Sequence, residues 1–246
     1  KNLLSDNEKY QILRQVIRHQ KLEIFDEGDF LKDIAFEIGK IKNQRIRPEE
    51  FISEKCEAAV FRQIYREYEE QRKRRRKIDF DDMLVYTYEL FRERKDILSA
   101  WQRKFQYILI DEFQDINKIQ FDIVKMLAAP ENNLFVVGDD DQSIYGFRGS
   151  RPEFMRGFLQ QYTDVKRYEL TANYRSGERI VALGRKIIEQ NKERFPKEFL
   201  PKKKGGEVSF QHLNTRREEE ELLVQDIRRN SMECLDQAAI IVRTNL

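Results

Sequence analysis

Two short apolar runs, at residues 107–110 and 134–137, constrain the fold more than any other feature of this sequence. Both runs are rich in β-forming residues, and the apolar residues between them, at 116–127, recur at helical spacing. Strands that are apolar at every position are typical of parallel sheets covered on both faces, and parallel strands joined by a helix form a right-handed βαβ unit. The sequence therefore predicts an α/β fold in which both runs end at one edge of a doubly covered sheet.

Acidic residues follow both apolar runs. Asp111 and Glu112 come directly after the first run, and Asp139, Asp140 and Asp141 come after the second run and one glycine. Open α/β sheets bind ligands outside the carboxyl ends of their strands. The sequence therefore predicts a site at this edge.

The chain on either side of this unit follows other patterns. Residues 3–95 have helical apolar spacing and almost no glycine or proline, which predicts an all-helical region with a new helix opening at residues 47–50. A later helix is expected to have Ser176 as its N-cap. Beyond the βαβ unit the predicted elements are strands at 165–170, 208–210 and 238–242, helices at 176–190 and 217–229, and a loop at 195–206.

Composition narrows the class of protein. The chain has 246 residues, of which 37% are charged, and its 17 Phe and 10 Tyr exclude wholesale disorder. The net charge of +2 offers no bulk argument for nucleic acid, so that argument needs a local patch. Cys56 and Cys234 lie far apart and exclude a disulfide framework, and no apolar run reaches the roughly 18 residues that would predict a membrane span.

The first candidate site is Asp111 with Glu112. A carboxylate pair at a strand end suits a magnesium–nucleotide centre, in which one acid holds Mg²⁺ through water and the other polarises a water that attacks the γ-phosphate. A solvated acidic pair is an equally good interpretation of these two residues alone, because strand ends are often acidic.

The second candidate site follows the second run. Three successive acids could bind a metal, and Gln142 could donate a hydrogen bond to a phosphate oxygen or to the attacking water. Tyr145, Phe147 and Arg148 have the aromatic and basic composition typical of binding to unpaired bases and their phosphates. The alternative is a loop whose aromatic side chains fill the core.

The third candidate is Arg175. It stands between a predicted strand and a predicted helix, where a cation could reach a phosphate as an arginine finger does. A surface ion pair is the alternative for this arginine.

Together the three segments carry a specific resemblance. Residues 111–115, 138–149 and 173–176 closely resemble motifs II, III and IV of the UvrD/Rep/PcrA-type superfamily 1 DNA helicases, in the same order and spacing. Residues 41–51 and 78–84 resemble the helical 1B insertion of that family, and residues 239–245 resemble a strand of its second RecA-like domain. The resemblance implies three parts, which are a helical 1B-like subdomain at 1–95, a partial RecA-like domain 1A at 96–160 and a partial RecA-like domain 2A at 161–246.

The resemblance also implies a role for each matching residue of a nucleotide site. Asp111 would be the Mg²⁺-associated acid, Glu112 the general base and Gln142 the sensor of the γ-phosphate. Tyr174 would stack near the adenine, and Arg175 would reach the γ-phosphate. ATP and Mg²⁺ are therefore the implied cofactors.

DNA is the implied partner. By resemblance, Tyr145 and Phe147 would contact bases of single-stranded DNA, although the family often has Trp at the latter position, and Arg148 would contact the strand or brace its loop. Single-stranded and duplex DNA, together with repair or replication proteins, are the implied partners of an enzyme that translocates 3′ to 5′. The bacterial character of the family implies the cytoplasm.

One departure from the family limits what this chain is expected to do alone. No G-x-x-x-x-G-K-[ST] loop is present, and the only Gly-Lys pair, Gly39-Lys40, is followed by Ile41. Motifs V and VI and the 2B insertion are also missing. We therefore expect an internal fragment that neither binds ATP tightly nor hydrolyses it.

Other interpretations remain open at the level of sequence. The chain could be a non-catalytic module for DNA or partner binding derived from a helicase, the helicase portion of a helicase–nuclease, or, more remotely, a metal-dependent nuclease built on residues 139–141. The six basic residues at 72–77 could grip a DNA backbone or form a solvated helix face, and the two interpretations are about equal.

Overall fold

The structure, a computed structural model, describes residues 2–146, 149–230 and 239–242. The chain divides into two compact units, of which the first is Lys1–Glu169 with Asn191–Pro196, and the second is Leu170–Gln190 with Lys197–Leu246. The division into three subdomains at residues 1–95, 96–160 and 161–246 stays a prediction.

Helices fill the N-terminal part of the first unit, as the sequence predicts. Side-chain caps define several of their starts, because Ser5, Asp26 and Asp79 each accept a hydrogen bond from the backbone of the first turn. The helices are α1 (Asp6–His19), α2 (Glu27–Gln44), α3 (Ala58–Arg74), α4 (Phe80–Glu93) and α5 (Lys95–Lys104).

The helix predicted to open at residues 47–50 is wrong. The chain forms a turn there, and α3 begins only at Ala58. The reason is tertiary, since the buried Glu37 of α2 accepts hydrogen bonds from the Ser53 hydroxyl at 2.6 Å and the Glu54 backbone N–H at 2.8 Å. These bonds satisfy a buried carboxylate and hold the segment out of a helix.

The main core lies among α1, α2 and α3. Helix α1 packs against both α2 and α3, and the apolar stripes of the three helices form one cluster. The Phe51 and Phe61 rings add a contact with centroids 5.0 Å apart. The residues that are no more than 3% exposed here are Ile12, Leu13, Val16, Ile17, Leu31, Ile34, Ile38, Ile41, Phe61, Ile64 and Tyr68.

The predicted βαβ unit is confirmed. Strand β1 (Ile108–Ile110), helix α6 (Lys118–Ala128) and strand β2 (Leu134–Val136) follow one another, and β1 pairs with β2 in parallel. Because the strands are parallel, both acidic segments leave the same edge of the sheet. Two short helices, α7 (Glu153–Arg156) and α8 (Phe158–Gln161), complete this part.

The prediction that both faces of this sheet are covered is wrong for the described residues. Ile110 and Val136 pack into a cluster with Phe113 and Phe121 on one face. On the other face Leu109 and Phe135, which are paired in register, are 73% and 58% exposed. An apolar strand therefore identifies the sheet without ensuring that the second covering layer is present.

The second unit contains strand β3 (Ala172–Gly177), helix α9 (Glu178–Ile188), strand β4 (Leu200–Lys203) and helix α10 (Arg216–Asn230). Strands β3 and β4 pair in parallel. Both predicted helices are confirmed, with slightly different ends. The predicted loop at 195–206 is wrong in part, because it contains β4.

Three predicted strands are not observed. Residues 165–170 and 208–210 have no strand pairing, and neither have residues 239–242, the described part of the strand predicted at 238–242. Residue 238 lies outside the described residues. A strand needs a neighbour to satisfy its backbone groups. The last segment was expected to be buried, but Ile241 is 92% exposed. None of the helices in the described residues is long and apolar enough to cross a membrane.

Candidate functional site

The acids after β1 adopt an unusual backbone. Asp111 and Glu112 are both exposed, and Glu112 has a left-handed conformation with φ of 52°. The Glu112 N–H donates to Asp111 Oδ1 at 2.9 Å, which helps to hold the turn. A non-glycine residue in this conformation costs about 1–2 kcal/mol, and such strain is concentrated at functional sites.

Gln114 connects this turn to the one after β2. Its side chain is only 1% exposed. Its Nε2 donates to Glu112 Oε2 at 2.8 Å, and its Oε1 accepts from the Asp139 backbone N–H at 3.0 Å. Sequence reasoning missed this residue, because an amide between two acids gives no signal that its side chain turns inward.

Gly138 makes the connection possible. A Cβ at this position would lie 2.5 Å from Gln114 Oε1 and 3.1 Å from the Phe113 backbone nitrogen. A Cβ at such distances would displace the Gln114 amide, so the glycine lets the two turns approach each other.

The second turn places Gln142 in the same network. Its Nε2 donates to Asp139 Oδ2 at 2.8 Å, and the Asp141 N–H donates to Asp139 Oδ1 at 3.1 Å. Hydrogen bonds therefore run without a break from Glu112 through Gln114 and Asp139 to Gln142. Two residues predicted to serve one nucleotide site are thus brought together.

The three successive acids are engaged by cations and amides. Their carboxylates lie within 4.8 Å of one another, a spacing compatible with a metal ion. However, Arg194 makes two hydrogen bonds to Asp141, at 2.7 and 2.6 Å, and the Phe195 N–H donates to Asp140 at 2.8 Å. This arrangement favours a structural role for the acids over a nuclease metal site.

Asp115, the last acid of the first motif, is less exposed than Asp111 and Glu112. Burial and the nearby charge of Glu112 raise its pKa above the ordinary value. Its Oδ1 is a buried atom with no hydrogen-bond partner among the described residues.

The predicted DNA-contacting loop is described in part. Tyr145 follows the Gln142 turn and is 39% exposed, so its ring is not locked in the core. Phe147 and Arg148 lie outside the described residues.

Tyr174 and Arg175 lie in β3 of the second unit and are exposed. Asn173 Oδ1 accepts from the backbone N–H groups of Arg175 and Ser176, at 3.1 and 2.9 Å. The predicted role of Ser176 as a helix N-cap is therefore wrong, because β3 continues to Gly177 and α9 begins after it. The approach of Arg175 to Glu112 and Gln142 stays a prediction.

The basic run at residues 72–77 does not form one surface. Arg72 is 1% exposed and pairs with Glu69 at 2.6 Å and Asp82 at 3.0 Å, while Lys77 pairs with Glu8 at 2.9 Å. Only residues 73–76 are exposed. Any contact with a phosphate backbone is thus limited to the four central residues.

The edge of the sheet fits the Mg²⁺ and γ-phosphate end of a bound ATP. Asp111 and Glu112 supply the hard oxygen ligands that Mg²⁺ prefers, and one carboxylate suffices for an ion that usually keeps several waters. Gln142 adds an exposed amide. The backbone cradle for the remaining phosphates has no counterpart in this sequence.

Comparisons with known proteins agree with the order of the motifs. The family model described as the UvrD/REP helicase N-terminal domain matches residues 1–163. The model described as the UvrD-like helicase C-terminal domain matches residues 168–246.

Similar relatives are bacterial proteins. YjcD of Bacillus subtilis (strain 168), provisionally named an ATP-dependent DNA helicase, is 42% identical over 228 residues, which cover 91% of this chain and 30% of that protein. The ATP-dependent DNA helicase PcrA of Staphylococcus epidermidis is 32% identical over 250 residues, which cover 99% of this chain and 34% of that protein. The chain therefore spans about a third of the length of these curated relatives.

Proposed function

Because the chain belongs to the UvrD/Rep helicase family, we propose that it carries part of the ATP-hydrolysing centre of an ATP-dependent DNA helicase. The relatives whose names state this activity are about three times as long, so the activity of the whole protein is part of the proposal. Repair or replication proteins are its proposed further partners, and the bacterial cytoplasm is its proposed compartment.

One observation carries the proposal, namely the hydrogen-bonded connection from Glu112 through Gln114 and Asp139 to Gln142. A general base and a phosphate sensor must respond to the same phosphate, and this connection keeps their two turns in a constant relation. If Asp111 and Glu112 were only a solvated acidic pair, no buried amide such as that of Gln114 would be needed to bind Glu112.

In the proposed mechanism, bound ATP supplies the phosphoanhydride bond and Mg²⁺ supplies the charge that offsets the phosphates. Asp111 would hold the ion through its waters. Glu112 would accept a proton from the attacking water at its carboxylate, and Gln142 would donate from Nε2 to a phosphate oxygen. Tyr174 and Arg175 would come from the second unit to the adenine and the γ-phosphate.

The state of the phosphate would reach DNA through the loop that follows Gln142. Tyr145 and Phe147 are proposed to stack on bases of the single strand, and Arg148 to contact the strand or brace the loop. Translocation would run 3′ to 5′, with duplex DNA unwound ahead.

The test of this centre is Glu112→Gln in the native protein that carries this sequence. Loss of a general base is expected to lower the DNA-stimulated kcat for ATP by about 10²–10⁴-fold. Glu131→Gln, at an exposed acid near β2, is the matched control and should leave kcat unchanged. An unchanged kcat in Glu112→Gln would remove Glu112 from the reaction.

The isolated 246-residue chain gives a second test. It is expected to show no ATP turnover, because it lacks the phosphate-cradling loop. DNA-stimulated turnover that Glu112→Gln abolishes would contradict this expectation. Binding of DNA by the native protein with no turnover at all would instead favour the non-catalytic module.

Direction is tested on single-stranded DNA that carries streptavidin at one end. A 3′-to-5′ translocase is expected to displace streptavidin from a 5′ biotin and to leave a 3′ biotin occupied. The reverse preference would overturn the proposed direction.

The exposed basic residues at 73–76 are proposed as a further site of binding to DNA phosphates. Replacing all four with Gln should flatten the slope of log affinity against log salt, by about 0.7–0.9 for each phosphate that is no longer neutralised. Replacing Arg216, Arg217, Arg228 and Arg229 of α10 removes the same charge and serves as the control. An equal slope in the two variants would remove residues 73–76 from the DNA surface.

A further inference from the structure

A short segment from the second half of the sequence packs with the first unit. This segment, Asn191–Pro196, is called the strap here; the residues before it, through Gln190, and after it, from Lys197, belong to the second unit. The chain therefore leaves the second unit after α9, is held by the first unit for six residues and returns before β4.

Three kinds of contact hold the strap. Arg156 of α7 donates to the Glu193 carbonyl at 3.1 Å and lies 3.4 Å from its carboxylate. The Phe195 ring lies 4.6 Å from the Arg167 guanidinium, measured from ring centroid to Cζ, and the Phe195 N–H donates to the buried Asp140. These contacts fix the backbone on both sides of Arg194.

Arg194 is the best-enclosed contact of the strap. Its Nε and Nη2 atoms each bond one oxygen of Asp141, and the two side chains are only 14% and 7% exposed. A two-point bond between a guanidinium and a carboxylate sets orientation as well as distance.

The strap reaches Gln142 through two steps. The Asp141 N–H donates to Asp139 Oδ1, and Asp139 Oδ2 accepts from Gln142 Nε2. The Asp139 carboxylate thus links Asp141, which is bound by Arg194, to Gln142, the predicted phosphate sensor. We therefore expect a change at Arg194 to disturb the turn that carries Gln142.

We propose that the strap fixes the turn that carries the Gln142 side chain, with Arg194 as the positioning residue. The consequence for ATP hydrolysis rests on the proposed function, but the mechanical link does not.

Amide hydrogen exchange in the 246-residue chain tests the link directly. Arg194→Gln is expected to raise the exchange rate of a peptide covering residues 139–146 at least tenfold. Arg185→Gln, which removes an exposed pair with Glu189 on α9, is the matched control and should leave that rate unchanged. Unchanged exchange in Arg194→Gln, with its circular dichroism spectrum retained, would overturn the link.

Two further variants keep the test decisive if Arg194→Gln folds poorly. Arg194→Lys retains the charge but only one donor group, and is expected to give an intermediate exchange rate. Asp141→Asn should raise exchange as Arg194→Gln does, and the double variant should add little to either. Additive effects would show that the two side chains act separately.

The native protein tests the positioning role. Arg194→Gln is expected to lower the DNA-stimulated kcat about tenfold, with KM for ATP changed less than twofold, and Arg194→Lys should restore part of kcat. Faster exchange with unchanged kcat would make the strap merely structural and overturn the positioning role. Absence of ATPase in the unmodified protein would contradict the proposed function alone, because the exchange result stands without it.

Discussion

The two units differ in how much apolar surface they bury. In the first unit Ile12, Phe61 and Ile64 are completely enclosed, whereas no described residue of the second unit is buried. Phe210 is 90% exposed and Ile187 of α9 is 66% exposed. Amphipathic helices form in both units, but among the described residues only those of the first unit enclose a buried core. We therefore expect the first unit to carry most of the free energy of unfolding.

The largest expected effect comes from a matched pair of phenylalanines. Phe61→Ala should lower the free energy of unfolding by about 3–5 kcal/mol, because it leaves a cavity in a closed core. Phe210→Ala should change it by less than about 0.5 kcal/mol. Urea unfolding followed by circular dichroism measures both, and equal losses would show that the second unit is packed in solution.

The next effect concerns the charged cluster of the first unit. Lys42 is 5% exposed and lies 2.8 Å from Asp82, 3.1 Å from Asp79 and 3.1 Å from Glu69. Lys42→Met would leave these carboxylates without their shared cation and should cost about 3 kcal/mol. Lys186→Met, at an exposed position of α9, is the control with an expected change near zero. Similar changes in the free energy of unfolding for Lys42→Met and Lys186→Met would mean that water reaches the cluster.

Alanine substitutions at two glycines are expected to change the free energy of unfolding in opposite directions. Gly138→Ala should cost about 1–3 kcal/mol, because the new Cβ displaces the buried Gln114 amide from Glu112 and Asp139. Gly184→Ala should stabilise α9 by about 0.5–1 kcal/mol, since no atom lies within 4 Å of the added Cβ. Thermal unfolding measures both effects: Tm should fall for the variant in the crowded turn and rise for the variant in the exposed helix. Shifts of Tm with the same sign in both variants would contradict this expectation.

The smallest expected effect is a dependence of stability on pH. Burial alone would raise the pKa of Asp79, but Lys42 and Lys9 outweigh it and hold that pKa below the ordinary value. Burial of Glu69 is likewise outweighed by the hydrogen bond from Arg72 and by the charge of Lys42, so the pKa of Glu69 is lowered too. For Asp82, burial and the neighbouring Asp79 raise the pKa.

The directions of these pKa shifts set the sign of the change in stability with pH. A carboxyl group with a lowered pKa stabilises the fold above its unfolded pKa, and this contribution is lost as the pH falls through the folded pKa. Asp79 and Glu69 should therefore make the first unit less stable as the pH falls below about 4.5, and Asp82 should reduce the size of that loss. Urea unfolding between pH 6 and pH 3 measures it. Lys42→Met should weaken this dependence and Lys186→Met should keep it; the same dependence in both variants would contradict the role of the cluster.

The βαβ unit could be predicted because its evidence is local. Residues 107–110 and 134–137 are apolar at every position, and the helix between them has a clear period. The placement of Asp111, Glu112 and Gln142 at one edge then followed from the pairing rule for parallel strands. Gln114 and Arg194 were missed because their partners lie 25 and 53 residues away in the sequence.

The errors have a common cause. Residues 47–50 have the composition of a helix start, yet the carboxylate of Glu37 holds the segment that follows them in another conformation. Residues 165–170 have the composition of a strand, yet no neighbouring strand pairs with them. A local preference is worth less than about 1 kcal/mol per residue. In the first case contacts with a distant part of the chain overrule it, and in the second no distant strand pairs with the segment among the described residues.

By itself, the sequence determined most of the segments that become helices, the order of the βαβ unit and the edge at which its acids meet, because periodicity and composition act over a few neighbouring residues. Only the tertiary structure decided that Gln114 is buried between two turns. It also decided that Arg72 of the basic run is buried and ion-paired, and that Arg194 pairs with Asp141. These outcomes depend on which distant groups are brought together where water is excluded. There the free-energy penalty of an unpaired charge or amide exceeds any local conformational preference.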